Sequence, residues 1–265
     1  EAARLLQLGN SEYQKRNIVV AIEYYRNSIL QNPNYVPALQ ALGKILRETG
    51  AIEESNEKLL IAYELEPKNI TTLIELTETS IDKNDMLKAQ KYCREGLLIE
   101  STNIDLSYLQ VQVLLNAGNL YLAEQRLNQI IRQNPGHYKS YISLGRIYLK
   151  QDKLKKAENL FRKARTIMPN QPYVFIYLAD IKLEQLLYKY RESLYSGPAS
   201  PSMFAEAIQL LMNAKGYDNF FVPANFRLAQ IYALTSDCLN ATPYLDSVLE
   251  VNRDHYGSDL PERVL

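Results

Sequence analysis

The sequence is poor in the residues from which disulfides, metal sites and catalytic centres are built. It has two cysteines, Cys93 and Cys238, and two histidines, His137 and His255, in 265 residues. Two cysteines make a poor disulfide framework, and neither histidine stands at a metal-binding spacing from a cysteine. The sequence also lacks a phosphate-binding glycine loop and a Gly-x-Ser-x-Gly elbow. We therefore predict a protein that is not an enzyme and has no metal or cofactor site.

An excess of one charge and long apolar runs are also missing. The 30 basic and 30 acidic side chains give a net charge of zero, so nothing draws the chain as a whole to nucleic acid or to an anionic membrane. The longest basic stretch is Lys153 to Lys156. No run approaches the roughly 18 apolar residues of a membrane span. The chain begins at Glu1 without Met or a signal peptide; we leave its compartment open and favour the cytoplasm.

What the sequence does contain is a period of 34 residues. Counting back from Ala157 in steps of this length gives a small residue each time: Ala123, Ala89, Ser55 and Ala21. Counting back from Pro169 gives Pro135, Ser101, Pro67 and Pro33. A period kept over five units indicates an array of repeats, each built from one small structural motif.

The stretch from Tyr138 to Gln171 shows the pattern most completely. Two sets of side chains are spaced by three and four residues, as on one face of a helix: Tyr141, Leu144 and Tyr148, then Phe161, Ala164 and Met168. Gly145 and Ala157 are small where two such helices would cross. Pro169 ends the second helix, because proline lacks an N–H and disfavours helix in the residue before it. The unit is predicted to be a pair of helices.

These residues resemble the signature of the tetratricopeptide repeat family, which has a large residue at repeat position 4, Leu–Gly at 7–8, small residues at 20 and 27, and proline at 32. The resemblance implies an all-α fold, a right-handed α-solenoid of about seven helix pairs in one domain, 1–265. The predicted repeats are residues 2–35, 36–69, 70–103, 104–137, 138–171, 172–221 and 222–255, followed by a C-terminal tail, 256–265.

The sixth repeat carries a 16-residue insertion, which we predict to lengthen its first helix to about Tyr195 and to add a loop. Its side chains Leu186, Leu187, Tyr190 and Leu194 form an apolar stripe at helical spacing. If this inserted helix projects, the stripe is an interface. The alternative is that it packs back on the seventh repeat.

In this family, positions 2, 5, 9, 12 and 13 of each repeat face a ligand in a groove lined by the first helices. The resemblance therefore implies a groove that binds a peptide or helix of a partner protein. The groove residues carried onto this sequence are Asn10, Tyr13, Lys44, Arg47, Glu78, Asp82, Tyr108, Gln112, Arg146, Lys150, Asp180 and Glu184.

The same charges have a plainer interpretation. Lys44 and Glu78 are one period apart, and so are two further pairs, Arg146 with Asp180 and Lys150 with Glu184. Neighbouring repeats bring such positions together, so these residues are candidates for ion pairs between repeats, each contributing about 0–1 kcal/mol if exposed.

Three functional hypotheses follow. The first is a non-catalytic scaffold or adaptor that binds a protein partner, with no role for nucleic acid and no membrane span. The second is a structural assembly protein that forms homo-oligomers through the inserted helix, 183–195. The third is the interaction module of a larger enzyme.

Overall fold

The computed structural model describes residues 1–192, 201–217 and 221–256, and within them the chain forms helices and no β-strand. The helices alternate between a first and a second member of a pair. The first helices are α1 Ala2–Gln14, α3 Val36–Glu48, α5 Ile70–Asp82, α7 Ile104–Asn116, α9 Tyr138–Lys150, α11 Pro172–Glu192 and α13 Phe221–Leu234. The second helices are α2 Ile18–Gln31, α4 Ile52–Leu65, α6 Met86–Ile99, α8 Leu120–Gln133, α10 Leu154–Ile167, α12 Ala205–Lys215 and α14 Cys238–Tyr256.

Six of the helix pairs, those other than α11 with α12, are joined by the same short turn. One residue per turn has a left-handed backbone, with φ between 57° and 86° at Arg16, Gly50, Asn84, Gly118, Asp152 and Ser236. The N–H of the next residue donates to the carbonyl oxygen five residues back, at 2.8–2.9 Å. This is the Schellman arrangement, which satisfies carbonyl groups at the end of the first helix. Each turn therefore ends one helix and starts the next within three residues.

Small residues let the two helices of a pair approach closely. A Cβ atom at Gly145 of α9 would lie 2.8 Å from the ring of Phe161 on α10, and one at Gly43 would lie 2.6 Å from Leu59. Phe161 and Leu59 are fully buried, so neither side chain has room to retreat. The prediction that Gly145 lies at a helix crossing is confirmed by this contact.

The chain divides into two compact units, an N-terminal unit, Glu1–Asn134, and a C-terminal unit, Pro135–Leu265. In the N-terminal unit, α1 to α8 follow one another and each helix packs on the next. In the C-terminal unit, α9 to α14 do the same, with a short 3-10 helix, Pro201–Phe204, between α11 and α12. The all-α fold is as predicted, whereas the count of seven repeats and their grouping in one domain remain predictions.

The sixth pair differs from the others in length. Its first helix, α11, has 21 residues, against 13 in α9. The predicted end of this helix near Tyr195 and the loop after it lie outside the described residues. In the seventh pair, Pro243 lies inside α14, one turn after the helix begins at Cys238. The Asp237 carboxylate accepts the N–H of Asn240 at 3.3 Å, which fixes the first turn ahead of the proline.

No helix in the described ranges combines the length and the apolar composition needed to cross a membrane.

The turn geometry predicts opposite effects for two glycine substitutions. Gly50→Ala should lower the free energy of unfolding by about 1–2 kcal/mol, because an alanine Cβ is strained at φ 86°. Gly216 ends α12 with φ −64°, and a Cβ there meets nothing closer than 3.6 Å. Gly216→Ala should therefore leave stability unchanged or raise it by up to about 1 kcal/mol. Urea unfolding followed by circular dichroism measures both, and equal midpoints for the two variants would contradict the account.

Candidate partner-binding surfaces

The predicted groove residues of the N-terminal unit lie on first helices that are neighbours in the structure, α1, α3, α5 and α7. Their centre is Arg47 on α3, whose guanidinium reaches three carboxylates of α5. It lies 3.2 Å from Glu75 and 3.4 Å from Asp82, and it also pairs with Glu78. Since the carboxylates follow one another at i, i+3 and i+7, they share one face of α5.

The innermost carboxylate of the cluster, Glu75, is buried. Glu75 is 7% exposed. Its pKa is raised above the ordinary value, mainly by burial and also by the neighbouring Glu78 carboxylate, although Arg47 and Lys44 act in the opposite direction. The ion-pair cluster thus contains one acid that is costly to keep charged. It has more carboxylates than cations, so this part of the surface is acidic.

Two other predicted groove residues of this unit are engaged by neighbours. The Tyr13 hydroxyl donates to Glu48 at 2.6 Å, and this bond together with burial raises the pKa of Tyr13 to about 12. The Asn10 side-chain oxygen accepts from the hydroxyl of the buried Tyr25 at 2.8 Å. Both side chains therefore help to hold the packing of α1 in addition to any role in binding.

The remaining predicted residues of the N-terminal unit are spread along α3 and α7. Lys44 is exposed on α3, and Tyr108 and Gln112 are half-buried on α7. The expected partner of Lys44, Glu78, pairs with Arg47 instead. The long arginine side chain, one turn further along α3, takes the place that the period alone assigned to Lys44.

In the C-terminal unit the predicted residues lie on α9 and α11. The Arg146 guanidinium lies over the ring of Tyr177, 6.0 Å from its centroid, a cation–π contact. Asp180, the expected partner of Arg146, instead accepts a two-pronged hydrogen bond from Arg227 on α13, at 2.9 Å for the Nη2 atom. Lys150 and Glu184 are exposed.

Next to this ion pair, α11 and α13 enclose an apolar cleft of about 460 Å³. Leu183 and Leu187 of the inserted helix form one wall. The other wall is lined by Gln230, Ile231, Ala233 and Leu234. Leu234 is 48% exposed, so the cleft opens to solvent along the C-terminal half of α13.

The placement of the inserted helix bears on the two alternatives left by the sequence. Leu187 faces α13 across the cleft, and Leu186 is half-buried. The side chain of Tyr190, and all of Leu194, lie outside the described residues. Leu187 of the stripe therefore faces the seventh pair, and the role of the stripe as an interface stays a prediction.

Several residues of these surfaces were missed from the sequence. Glu75 and Tyr177 each lie three residues before a groove residue that was carried over, Glu78 and Asp180, and Arg227 lies on α13, which holds none of those groove residues. The spacing of Glu75, Glu78 and Asp82 was the available signal, since three acids on one face of a helix call for a cation opposite. Arg227 gave no such signal, because the insertion places it 47 residues after Asp180 rather than one period.

The two cysteines differ in burial. Cys93 is buried, its Sγ donates to the carbonyl oxygen of Leu106 at 3.3 Å, and burial raises its pKa to about 11. Cys238 is exposed. Among the residues that the structure describes, no group of three or more His, Cys, Asp or Glu side chains is placed to hold a metal ion.

The structure defines an α-helical repeat protein made of stacked helix pairs. Residues 114–181 match the family model described as tetratricopeptide repeat. This match, together with the stacked helix pairs, confirms the tetratricopeptide assignment made from the sequence.

Comparison with known proteins supports the same fold. Over 139 residues the chain is 25% identical to anaphase-promoting complex subunit CDC16 of Saccharomyces cerevisiae, a match that spans 49% of this chain and 16% of that protein. The solved structure of Pseudomonas aeruginosa pilF is similar with a TM-score of 0.62 and 21% identity, covering 84% of this chain and 93% of that one. A chain of the APC/C hetero-tetramer Cut9–Hcn1 gives a TM-score of 0.69 at 15% identity, covering 90% and 43%.

The raised pKa of Glu75 predicts how a Glu75→Gln variant differs from wild type with pH. The unfolded chain releases this proton near pH 4.5, and the folded chain holds it to higher pH. The contribution of Glu75 to the free energy of unfolding of wild type is therefore present at low pH, and it is lost as the pH rises through the raised pKa. The stability of the variant relative to wild type should increase from pH 4 upward, as measured by urea unfolding at each pH.

A relative stability that decreases over the same pH range would mean that Arg47 stabilises the Glu75 carboxylate by more than its burial costs. That result would contradict the assignment.

Proposed function

We propose that this chain is a non-catalytic protein-interaction scaffold, which binds a segment of a partner protein along α11 and α13 of its C-terminal unit. The observation that carries the proposal is the apolar cleft between Leu187 and Leu234. Soluble proteins seldom leave concave apolar surface open to water unless something binds there. A cleft of about 460 Å³ has the size of a typical ligand pocket.

The side chains along α11 suggest how a partner segment would lie. Tyr177, Asp180, Leu183 and Leu187 are spaced by three or four residues and follow one face of the helix for about 15 Å. An apolar side chain of the partner would fill the cleft, and burying one of leucine size contributes about 1.5–3 kcal/mol. Gln230 at the wall offers an amide for orientation.

Two exposed cations add a preference for charge. Arg146 and Lys150 are four residues apart, so they lie about one turn from each other on the same face of α9. Arg146 also contacts the ring of Tyr177 on α11. A partner segment with a carboxylate beside its apolar anchor would satisfy both the cleft and these cations. Their contribution would be to orientation and association rate more than to affinity.

The relatives support a role in assemblies. CDC16 is a subunit of the anaphase-promoting complex, and Cut9–Hcn1 is a hetero-tetramer. This chain spans only 16% of CDC16, so the activity and partners of that protein carry over only as a suggestion of the scaffold class. The third hypothesis, an interaction module of a larger enzyme, is compatible with the same binding surface.

Self-association through the inserted helix is the other candidate. Leu183 and Leu187 already face α13, so a second copy would compete with the cleft for the same side chains. We therefore place partner binding ahead of self-association.

The test is a capture experiment with two matched leucine substitutions in the C-terminal unit. Leu234 lines the cleft and is 48% exposed, whereas Leu239 on α14 is 89% exposed and does not line it. Leu234→Glu should reduce recovery of specific partners from native lysate at least tenfold, because a carboxylate in the cleft must lose its water. Leu239→Glu should recover the same partners as wild type.

A third variant, Arg146→Glu with Lys150→Glu, tests the charged part of the surface. It should reduce recovery of the same partners by less than Leu234→Glu does. Circular dichroism confirms that each variant folds. Partners that are retained by Leu234→Glu and lost with Leu239→Glu would reject the cleft as the binding site.

A further inference from the structure

The neutral net charge of the chain conceals a strongly basic helix pair. Residues 138–168, which span α9 and α10, contain nine lysines and arginines against two acidic residues, a local net charge of +7. The rest of the chain is correspondingly acidic. Charge that is segregated in this way creates a local field that the overall balance does not predict.

Much of this charge lies on one side of α10. Its exposed side chains follow one another at i, i+1, i+4, i+7, i+8 and i+11, which confines them to one face of the helix. We call this surface the α10 basic face; it consists of Lys155, Lys156, Asn159, Arg162, Lys163 and Thr166, all exposed. The four cations extend over about 12 Å of helix.

The opposite side of α10 is fully used by the core. Ala157, Phe161 and Ala164 are 0% exposed. The helix therefore has no apolar side left to insert into a membrane surface, as a basic amphipathic helix would need to do.

The cations of this face are unevenly paired. Arg162 donates to Glu158 at 2.8 Å and lies 3.4 Å from Glu206. Glu158 also forms an ion pair with Lys182 at 3.1 Å, and its side chain is only 15% exposed. It is therefore poorly placed to neutralise further cations of the face. Within the described ranges, Lys155 and Lys163 have no acidic partner. These two lysines remain available to an external anion.

The turn before α10 fixes the neighbouring lysines. The ammonium groups of Lys153 and Lys156 each lie 5.6 Å from the centroid of the Tyr148 ring. Two cation–π contacts with one ring hold both charges at the N-terminal end of the face. The face thus begins with cations that are held in position by these contacts.

We propose that the α10 basic face is a docking surface for an acidic segment of a partner protein, separate from the cleft between α11 and α13. Lysine predominates over arginine, and a lysine ammonium is a point charge without the fork that matches phosphate geometry. The ring at the N-terminal end of the face, Tyr148, is half-buried and already in contact with Lys153 and Lys156, which leaves it poorly placed for the base stacking that single-stranded nucleic acid binding uses. Asn159 adds a hydrogen-bonding amide between the charges, and Thr166, whose hydroxyl donates to the carbonyl oxygen of Arg162, follows them.

The docking is electrostatic and therefore depends on salt. Exposed charges are screened beyond about 8 Å at physiological ionic strength, and each exposed pair contributes about 0–1 kcal/mol. Four cations in line suit a flexible segment rich in aspartate and glutamate, which meets several of them at once.

The test uses the full chain and a fluorescein-labelled 16-residue peptide of aspartate, glutamate and serine, with binding followed by fluorescence anisotropy. The variant combines Lys155→Glu, Lys156→Glu and Lys163→Glu. Its control combines Lys15→Glu, Lys68→Glu and Lys88→Glu, three exposed lysines of the N-terminal unit. Both triple variants change the net charge by the same amount. In the control, Lys15 and Lys88 also lose ion pairs with Glu12 and Asp85, so circular dichroism checks that it folds.

Wild type and the control should bind the peptide with similar affinity, and the α10 variant should bind at least tenfold more weakly. The glutamine version of the α10 variant should lie between them, which separates loss of attraction from introduced repulsion. Raising the salt from 50 to 300 mM should weaken wild-type binding several-fold. Leu234→Glu should bind the peptide as wild type does. The cleft and the α10 basic face are therefore tested separately, and either proposal can fail without the other.

Three outcomes would overturn the proposal. Equal weakening in the two triple variants would mean that the peptide senses only net charge. Undiminished binding by the α10 variant would place the site elsewhere. Tighter binding of a 16-residue oligouridylate, or of vesicles containing phosphatidylserine, with loss in the α10 variant would assign the face to nucleic acid or to membrane.

Discussion

Six helix pairs of this chain depend on a tight junction between their first and second helices. A left-handed residue turns the chain, its neighbour bonds back to the end of the first helix, and a small residue such as Gly145 lets the second helix approach until Phe161 fills the gap. Because the turn has the same geometry at Gly50 and Asp152, first helices and second helices are kept in separate rows within each unit. Binding surfaces of two kinds follow from this separation.

The sequence predicts this junction well because its determinants are local. A small residue at a crossing, a proline after a helix and a 34-residue period all act within one pair. The partners of the charged side chains are predicted less well, because they depend on how far each side chain extends toward the neighbouring helix. The 34-residue period alone places Lys44 opposite Glu78, but it is the Arg47 side chain that pairs with the carboxylates of α5. The insertion likewise hides the bond between Asp180 and Arg227.

Burial also escapes prediction from a repeat pattern. Asn225 lies on α13 at the position where the fifth pair has the core residue Tyr141. Asn225 is 0% exposed, and in the described part of the chain its amide atoms have no hydrogen-bond partner. An unpaired buried amide costs about 1–3 kcal/mol. Glu75 is a milder case, a carboxylate that is buried but paired.

The two surfaces proposed for partners differ in their physical basis. The cleft between α11 and α13 offers apolar burial, which is strong per contact and insensitive to salt. The α10 basic face offers charge, which guides association and is screened by salt. A scaffold with both can hold one part of a partner by shape and attract another by charge.

The central claim, that partners bind at the cleft, is tested most directly by photo-crosslinking in native extract. A benzophenone amino acid at Gln230, an exposed residue at the cleft wall, is compared with the same group at Leu239 on the exposed side of α14. The account predicts crosslinked partner adducts from position 230 and few from 239. Adducts from 239 alone, or in equal yield from both positions, would contradict it.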